Sequence, residues 1–141
     1  MLAALQAKLS VGSDAVFKAG SLLSGGMVGH GETCGALSGS LMAIGCVVGR
    51  EKLPDIDQSR RAKIPGEEMH RRFREQLGHT VCAEIHQIRF GRTYRLTDPE
   101  DMKAFHQAGG HRRDGCPEVC AIAARTAADI ILRLQEGSYR F

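Results

Sequence analysis

Residues Thr33 to Gly49 read TCGALSGSLMAIGCVVG, and this stretch decides the fold class. Thr33 suits an N-cap, and the residues from Cys34 to Val48 predict one helix with two different faces. Small residues recur at helical spacing on one face and bulkier residues on the other: Gly35, Gly39, Ala43 and Cys46 against Leu37, Leu41, Ile44 and Val48. Each glycine in a helix costs about 1 kcal/mol relative to alanine. We therefore expect close packing against the small face to offset that cost.

The rest of the chain also shows helical spacing. Further helices are predicted over Asp14–Leu23, Pro65–Leu77, Val81–Ile88 with Thr80 as its cap, a segment beginning at Asp98-Pro99-Glu100-Asp101, and Pro117–Gln135, with residues Glu51–Ile64 as an exposed connection. No segment alternates with a period of two for more than a few residues. We expect an all-α fold, a single-domain bundle of about five to six helices over residues 1–141 with glycine-rich connections.

Composition limits the classes of function. A net charge of +3 and an aromatic fraction of 5% without tryptophan provide little for binding nucleic acid. No stretch supplies the roughly 18 apolar residues of a membrane span. Five cysteines are too few for a disulfide-stapled protein of 141 residues, and an odd number leaves one unpaired. We expect reduced or metal-bound thiols in the cytoplasm, or in the periplasm if an upstream signal has been removed.

Three of the five cysteines, Cys34, Cys82 and Cys116, lie at or near predicted helix N-termini. Free N–H groups and the helix dipole favour a thiolate there, which metal ligation and nucleophilic chemistry both require. Cys120 lies one turn beyond Cys116 and could present its sulfur to the same site. The spacing lacks a C-x-x-C motif and so disfavours a thioredoxin-type site and most zinc ribbons. Cys46 is interpreted as a small core residue, and its truncation would leave a cavity worth about 1 kcal/mol.

Cys34-Gly35-Ala36-Leu37-Ser38-Gly39 resembles the CGAxxG core of the C-GCAxxG-C-C proteins, a redox-active group named for its cysteine pattern. The preceding GGMVGHG run, the isolated Cys82 and the final Gly-Cys116-Pro-Glu helix extend the resemblance over roughly Ser24 to Leu134. The chain is also similar to the non-haem part of split-Soret cytochrome c, which implies an iron–sulfur cluster and a dimeric helical fold.

The family pattern begins with a cysteine upstream of its core, and no cysteine precedes Cys34 here. Either Cys120 completes the set, or an upstream segment has been lost, or three thiols act with a different fourth group. His30 and His79, beside glycines near the cysteine motifs, are candidates for that group, although each is more typical of a surface or capping residue. His111-Arg112-Arg113 predicts a basic loop able to balance a cluster's charge or to dock an acidic redox partner.

The resemblance implies redox or cluster chemistry and leads to three hypotheses. The first is an electron-transfer protein, rather than an enzyme with its own substrate, that holds an iron–sulfur cluster, [2Fe–2S] before [4Fe–4S], on Cys34, Cys82, Cys116 and Cys120. The second is a metal-free thiol oxidoreductase in which Cys34 attacks and Cys82 or Cys116 resolves the disulfide. The third is a structural zinc-binding interaction module. Expected partners are a redox protein and a second copy of the chain.

Overall fold

The computed structural model describes residues 1–141 as seven α-helices, and the all-α prediction is confirmed. The helices are α1 (Leu2–Leu9), α2 (Asp14–Gly20), α3 (Gly35–Val48), α4 (Ile56–Leu77), α5 (Cys82–Phe90), α6 (Pro99–Gln107) and α7 (Cys116–Gln135). A short 3₁₀ turn at Ser21–Leu23 follows α2. The count exceeds the predicted five to six. None of the helices combines the length and apolar character that a membrane span needs.

Helix α3 lies at the centre of the fold and packs against α7, α4 and α1. Its bulky face enters the main core, where Phe73 of α4 and Ile131 of α7 are completely buried. On its small face, Gly39 lies against the start of the chain, because a Cβ added there would meet the end of the Met1 side chain and Leu2 of α1. The small face of α3 thus permits close packing within one chain.

Helix α4 is longer than the sequence pattern indicates, and the predicted connection over Glu51–Ile64 is wrong for most of its length. The helix begins at Ile56, where the Asp55 side chain accepts a hydrogen bond from the Gln58 N–H. Pro65 lies inside it and removes one backbone hydrogen bond, at a cost of about 3 kcal/mol. Burial of Pro65 on the same face as Met69 and the Asp55 cap both offset that cost.

Neither Thr33 nor Thr80 caps a helix, so both predicted caps are wrong. Helices α3 and α5 begin after Cys34 and Val81, without a side-chain cap hydrogen bond. Backbone pairing replaces the caps: the Cys34 N–H donates to the Thr80 carbonyl at 2.8 Å, and the Cys82 N–H donates to that of Glu32 at 2.7 Å. This pairing places the starts of the two helices side by side. The predicted cap at Asp98 is confirmed, because its side chain accepts from the two N–H groups of residues 100 and 101.

A charged cluster fastens the C-terminal tail to α4 and α7. The Glu68 carboxylate accepts hydrogen bonds from the Tyr139 hydroxyl at 2.7 Å and from the guanidinium groups of Arg72 and Arg133. Burial alone would raise the pKa of Glu68, but the hydrogen bonds from these three residues lower it overall. A lowered folded-state pKa contributes stability above the unfolded-state pKa, and that stability is lost as the pH falls through the folded-state value.

Replacing Glu68 with glutamine should lower the free energy of unfolding by about 1–2 kcal/mol at pH 7, since hydrogen bonds to a charged acceptor are lost. The difference from wild type should shrink below about pH 4, where the wild-type carboxylate also becomes protonated. Urea denaturation of both proteins at pH 7 and below about pH 4 measures this difference in the free energy of unfolding. Glu75→Gln is the control, because Glu75 forms only an exposed pair with Arg71. A penalty for Glu68→Gln that did not change with pH would contradict this assignment.

Candidate functional site

The starts of three helices meet at one cavity of about 340 Å³. Cys34 immediately precedes α3, Cys82 and Cys116 are the first residues of α5 and α7, and Cys120 follows one turn along α7. All four of these cysteines line the cavity, and twelve of its eighteen lining residues are hydrophobic. The structure therefore brings together the four cysteines that the sequence singled out, from positions up to 86 residues apart (120 − 34).

Two glycines allow the chain to approach closely around the cysteines. Gly26 has a left-handed φ of 69°, and a Cβ there would lie 2.6 Å from the Cβ of Cys82. A Cβ at Gly35, directly after Cys34, would lie 2.2 Å from the carbonyl oxygen of Leu23. Real Cβ atoms are not found at these separations, so only glycine fits both positions as the backbone stands. The glycine of the Cys-Gly-Ala motif is thus explained by the neighbouring backbone.

The start of α7 is fixed by the loop before it and by α5. The Cys116 N–H donates to the Gly110 carbonyl at 2.9 Å. From α5, the Arg89 guanidinium donates to the Asp114 carbonyl at 2.6 Å and pairs with the Glu118 carboxylate at 3.3 Å. Arg89 therefore ties α5 to α7 and holds a positive charge near Cys116, where it acts to lower the thiol pKa.

Burial raises the pKa of three of the cavity thiols, those of Cys34, Cys82 and Cys116. Burial, with a smaller contribution from the neighbouring cysteine sulfurs, raises the pKa of Cys82 to about 12 and that of Cys116 to about 11. Burial also raises the pKa of Cys34. The nearby backbone N–H groups of Ala36 and Leu37 act to lower that pKa, but by less than burial raises it. The expectation that helix N-termini would favour thiolates is therefore wrong for these three residues, because desolvation outweighs the helix ends.

His86 is a site residue that the sequence analysis missed. It is only 1% exposed, and its Nε2 lies 3.6 Å from the Cys82 sulfur and 3.9 Å from the Cys116 sulfur. Burial lowers the pKa of this imidazole. The signal in the sequence was its spacing, since His86 follows Cys82 by four residues on the same helix and so lies on the same face.

Neither of the two histidines considered as a fourth ligand, His30 and His79, lines the cavity. His30 is exposed and does not line the cavity. His79 is also absent from the cavity wall, and its Nδ1 accepts a hydrogen bond at 3.1 Å from the N–H of Val81, the residue before α5, without capping the helix. His111 of the basic loop does line the cavity. No group of three or more His, Cys, Asp or Glu residues is arranged to hold a metal ion.

Cys46 is exposed rather than buried, which corrects the interpretation of it as a core residue. Because the side chain faces solvent, Cys46→Ala should leave no cavity and should change the free energy of unfolding by less than about 0.5 kcal/mol. The expectation of about 1 kcal/mol from the sequence is replaced by this smaller value. Chemical denaturation of the reduced protein measures the change, and a loss above about 1 kcal/mol would show that Cys46 packs in the folded state.

Comparison with known proteins identifies one family. The sequence model of the family described as "Putative redox-active protein (C_GCAxxG_C_C)" matches residues 1–130 of the chain. The matched range includes all four cysteines of the cavity and His86. No curated protein and no solved structure matches the chain.

Proposed function

This chain belongs to the C_GCAxxG_C_C family of redox-active proteins, and from that premise we propose that it is an electron-transfer protein holding an iron–sulfur cluster. Cys34, Cys82, Cys116 and Cys120 are the proposed ligands. The observation that carries the proposal is their common cavity, to which three helices contribute.

The four cysteines suit such a cluster by the chemistry of their donor atoms and by their shared cavity, although their side chains as they stand do not form a metal-binding group. Four cysteine thiolates are the usual ligands of both [2Fe–2S] and [4Fe–4S] centres. The four side chains line one cavity, and Cys34, Cys116 and Cys120 lie near enough for their ionised forms to repel one another. Several thiolates so close together repel, and burial adds a further penalty, so a positively charged centre among them would relieve both effects. A bound cluster would supply reversible uptake of one electron.

The surrounding residues suit electron transfer more than chemistry on a substrate. The walls are mostly apolar, including Leu23, Leu96 and Val119, and Cys34 and Cys82 are buried. Such shielding helps to set the reduction potential of a cluster and protects it from hydrolysis. Arg89 and the basic loop at residues 111–113 place positive charge beside the site, which favours an acidic redox partner.

Anaerobic purification followed by iron and acid-labile sulfide analysis tests the proposal. We expect a brown protein with iron and sulfide in equal amounts and broad visible absorbance, with two irons per chain favoured over four on family resemblance. A colourless protein without iron or sulfide after anaerobic reconstitution would contradict it.

The two alternatives predict different results in the same preparation. A thiol oxidoreductase would be colourless and would form a reversible disulfide between Cys34 and Cys82 or Cys116. Its attacking thiolate is disfavoured by the burial of Cys34, which is 8% exposed. A zinc module would be colourless and would contain stoichiometric zinc.

We further propose a homodimer that works in the cytoplasm, or in the periplasm if an upstream signal has been removed. The small face of α3 does not itself argue for a partner copy, because Met1 and Leu2 of the same chain cover Gly39. The similarity to split-Soret cytochrome c remains the argument for the dimer. Light scattering across micromolar concentrations should therefore give twice the mass of 15.3 kDa, and a mass of one chain throughout would contradict the dimer.

A further inference from the structure

His86 contacts the sulfur site with one ring nitrogen only. Its Nε2 lies within hydrogen-bonding reach of the Cys82 and Cys116 sulfurs, at 3.6 and 3.9 Å. Its Nδ1 is buried and has no hydrogen-bond partner. Buried polar atoms normally have hydrogen-bond partners, so the lack of one at Nδ1 needs an explanation.

Aromatic rings surround the rest of the imidazole. The ring centroids of Phe105, Phe90 and Tyr94 lie 4.8, 5.8 and 6.0 Å from that of His86. These rings hold the imidazole in place and offer Nδ1 no strong acceptor. The two sulfurs are therefore the only groups with which the His86 ring forms hydrogen-bond contacts.

The position of the ring hydrogen follows from these contacts. A neutral imidazole carries one N–H, on either Nδ1 or Nε2. With a cluster bound, Cys82 and Cys116 would be thiolates, which only accept hydrogen bonds, so Nε2 would be the donor to them. A hydrogen on Nδ1 instead would bury an unpaired donor among aromatic rings and leave both thiolates without one. The arrangement favours the tautomer with its hydrogen on Nε2.

We propose that His86 is a positioning residue that donates its Nε2–H to the Cys82 and Cys116 sulfurs and thereby raises the reduction potential of the group they hold. This inference rests on the proposed function. Reduction adds one electron and no proton to the site, so negative charge on the sulfurs increases. A fixed N–H donor stabilises that charge more in the reduced state than in the oxidised state.

The experiment compares three variants of the anaerobically reconstituted full chain. His86→Phe keeps a ring among the aromatic neighbours and removes the donor, whereas His86→Gln retains an N–H near the Nε2 position. Phe90→Leu is the matched control, since it alters packing around the imidazole without removing its N–H. Redox titration with dithionite, followed by visible absorbance, gives the midpoint potential of each protein.

We expect His86→Phe to lower the reduced-to-oxidised ratio at a fixed ambient potential about tenfold, which is about 59 mV for a one-electron couple. His86→Gln should recover most of that loss, and Phe90→Leu should titrate close to wild type. Equal potentials in His86→Phe and wild type would overturn the role of His86 and leave the proposed function intact. Loss of iron from both folded His86 variants would instead make His86 a ligand and overturn the donor role.

A measurement on the wild type needs no variant to fold. Exchange into D2O replaces Nε2–H with Nε2–D and should shift the Fe–S stretching bands in resonance Raman spectra. The absence of any shift would overturn the hydrogen bond. If the wild-type protein binds neither iron nor sulfide, the proposed function is contradicted, and so is the inference about His86 that rests on it.

Discussion

Replacing any one of Cys34, Cys82, Cys116 or Cys120 with serine should lower the bound iron and sulfide at least about tenfold. An alcohol is a much poorer iron ligand than a thiolate, and the four residues line one cavity, so no other cysteine can substitute for the lost sulfur. Iron and sulfide per chain, with visible absorbance, measure the effect after anaerobic reconstitution. Circular dichroism establishes that each variant retains its helices.

Cys46→Ser is the matched control, because Cys46 is the one cysteine of the chain that does not line the cavity. It should bind as much iron and sulfide as the parent. If Cys120→Ser also bound as much as the parent while Cys34→Ser did not, Cys120 would not be a ligand. The search for the fourth ligand would then begin at His86, beside the Cys82 and Cys116 sulfurs, rather than at His30 or His79.

Gly35→Ala should destabilise the fold by about 3 kcal/mol and prevent normal assembly of the site. The added methyl group would lie 2.2 Å from the Leu23 carbonyl oxygen. That oxygen belongs to the backbone, so the clash can be removed only if α3 moves away from the 3₁₀ turn at Ser21–Leu23. Because Cys34 immediately precedes α3, the movement would also displace its sulfur from the cavity. Urea denaturation and iron content measure the two effects.

Gly45→Ala provides the comparison within the same helix. A Cβ at Gly45 would meet nothing within 4 Å, and the residue is exposed. The substitution should stabilise the protein by up to about 1 kcal/mol, because alanine has the higher helix propensity, and should leave iron binding unchanged. If both variants changed stability equally, the close approach at Gly35 would not explain the Cys-Gly-Ala motif.

Local patterns in the sequence were enough to predict the helical fold and to place three of the cavity's cysteines at helix starts, and the family resemblance added Cys120 as a candidate for the fourth. Helical spacing and glycine stops indicated α3 and α7 to within a residue, and Asp98 was recognised as a cap from the Asp-Pro-Glu-Asp stretch. The same map put Cys34, Cys82 and Cys116 at helix starts. These features are encoded by residues within one or two turns of each other, so the sequence alone carries them.

Tertiary structure decided what depends on distant residues. Helix α4 extends through Pro65 because a buried face favours the helix, and α5 begins without a threonine cap because its backbone pairs with the segment before α3. The thiol pKa values rise instead of falling, since burial in the assembled cavity outweighs the helix ends. The position of His86 between two sulfurs 34 residues apart in sequence (116 − 82) likewise exists only when α5 and α7 pack together. Desolvation and long-range contacts are properties of the folded chain, and no local pattern specifies them.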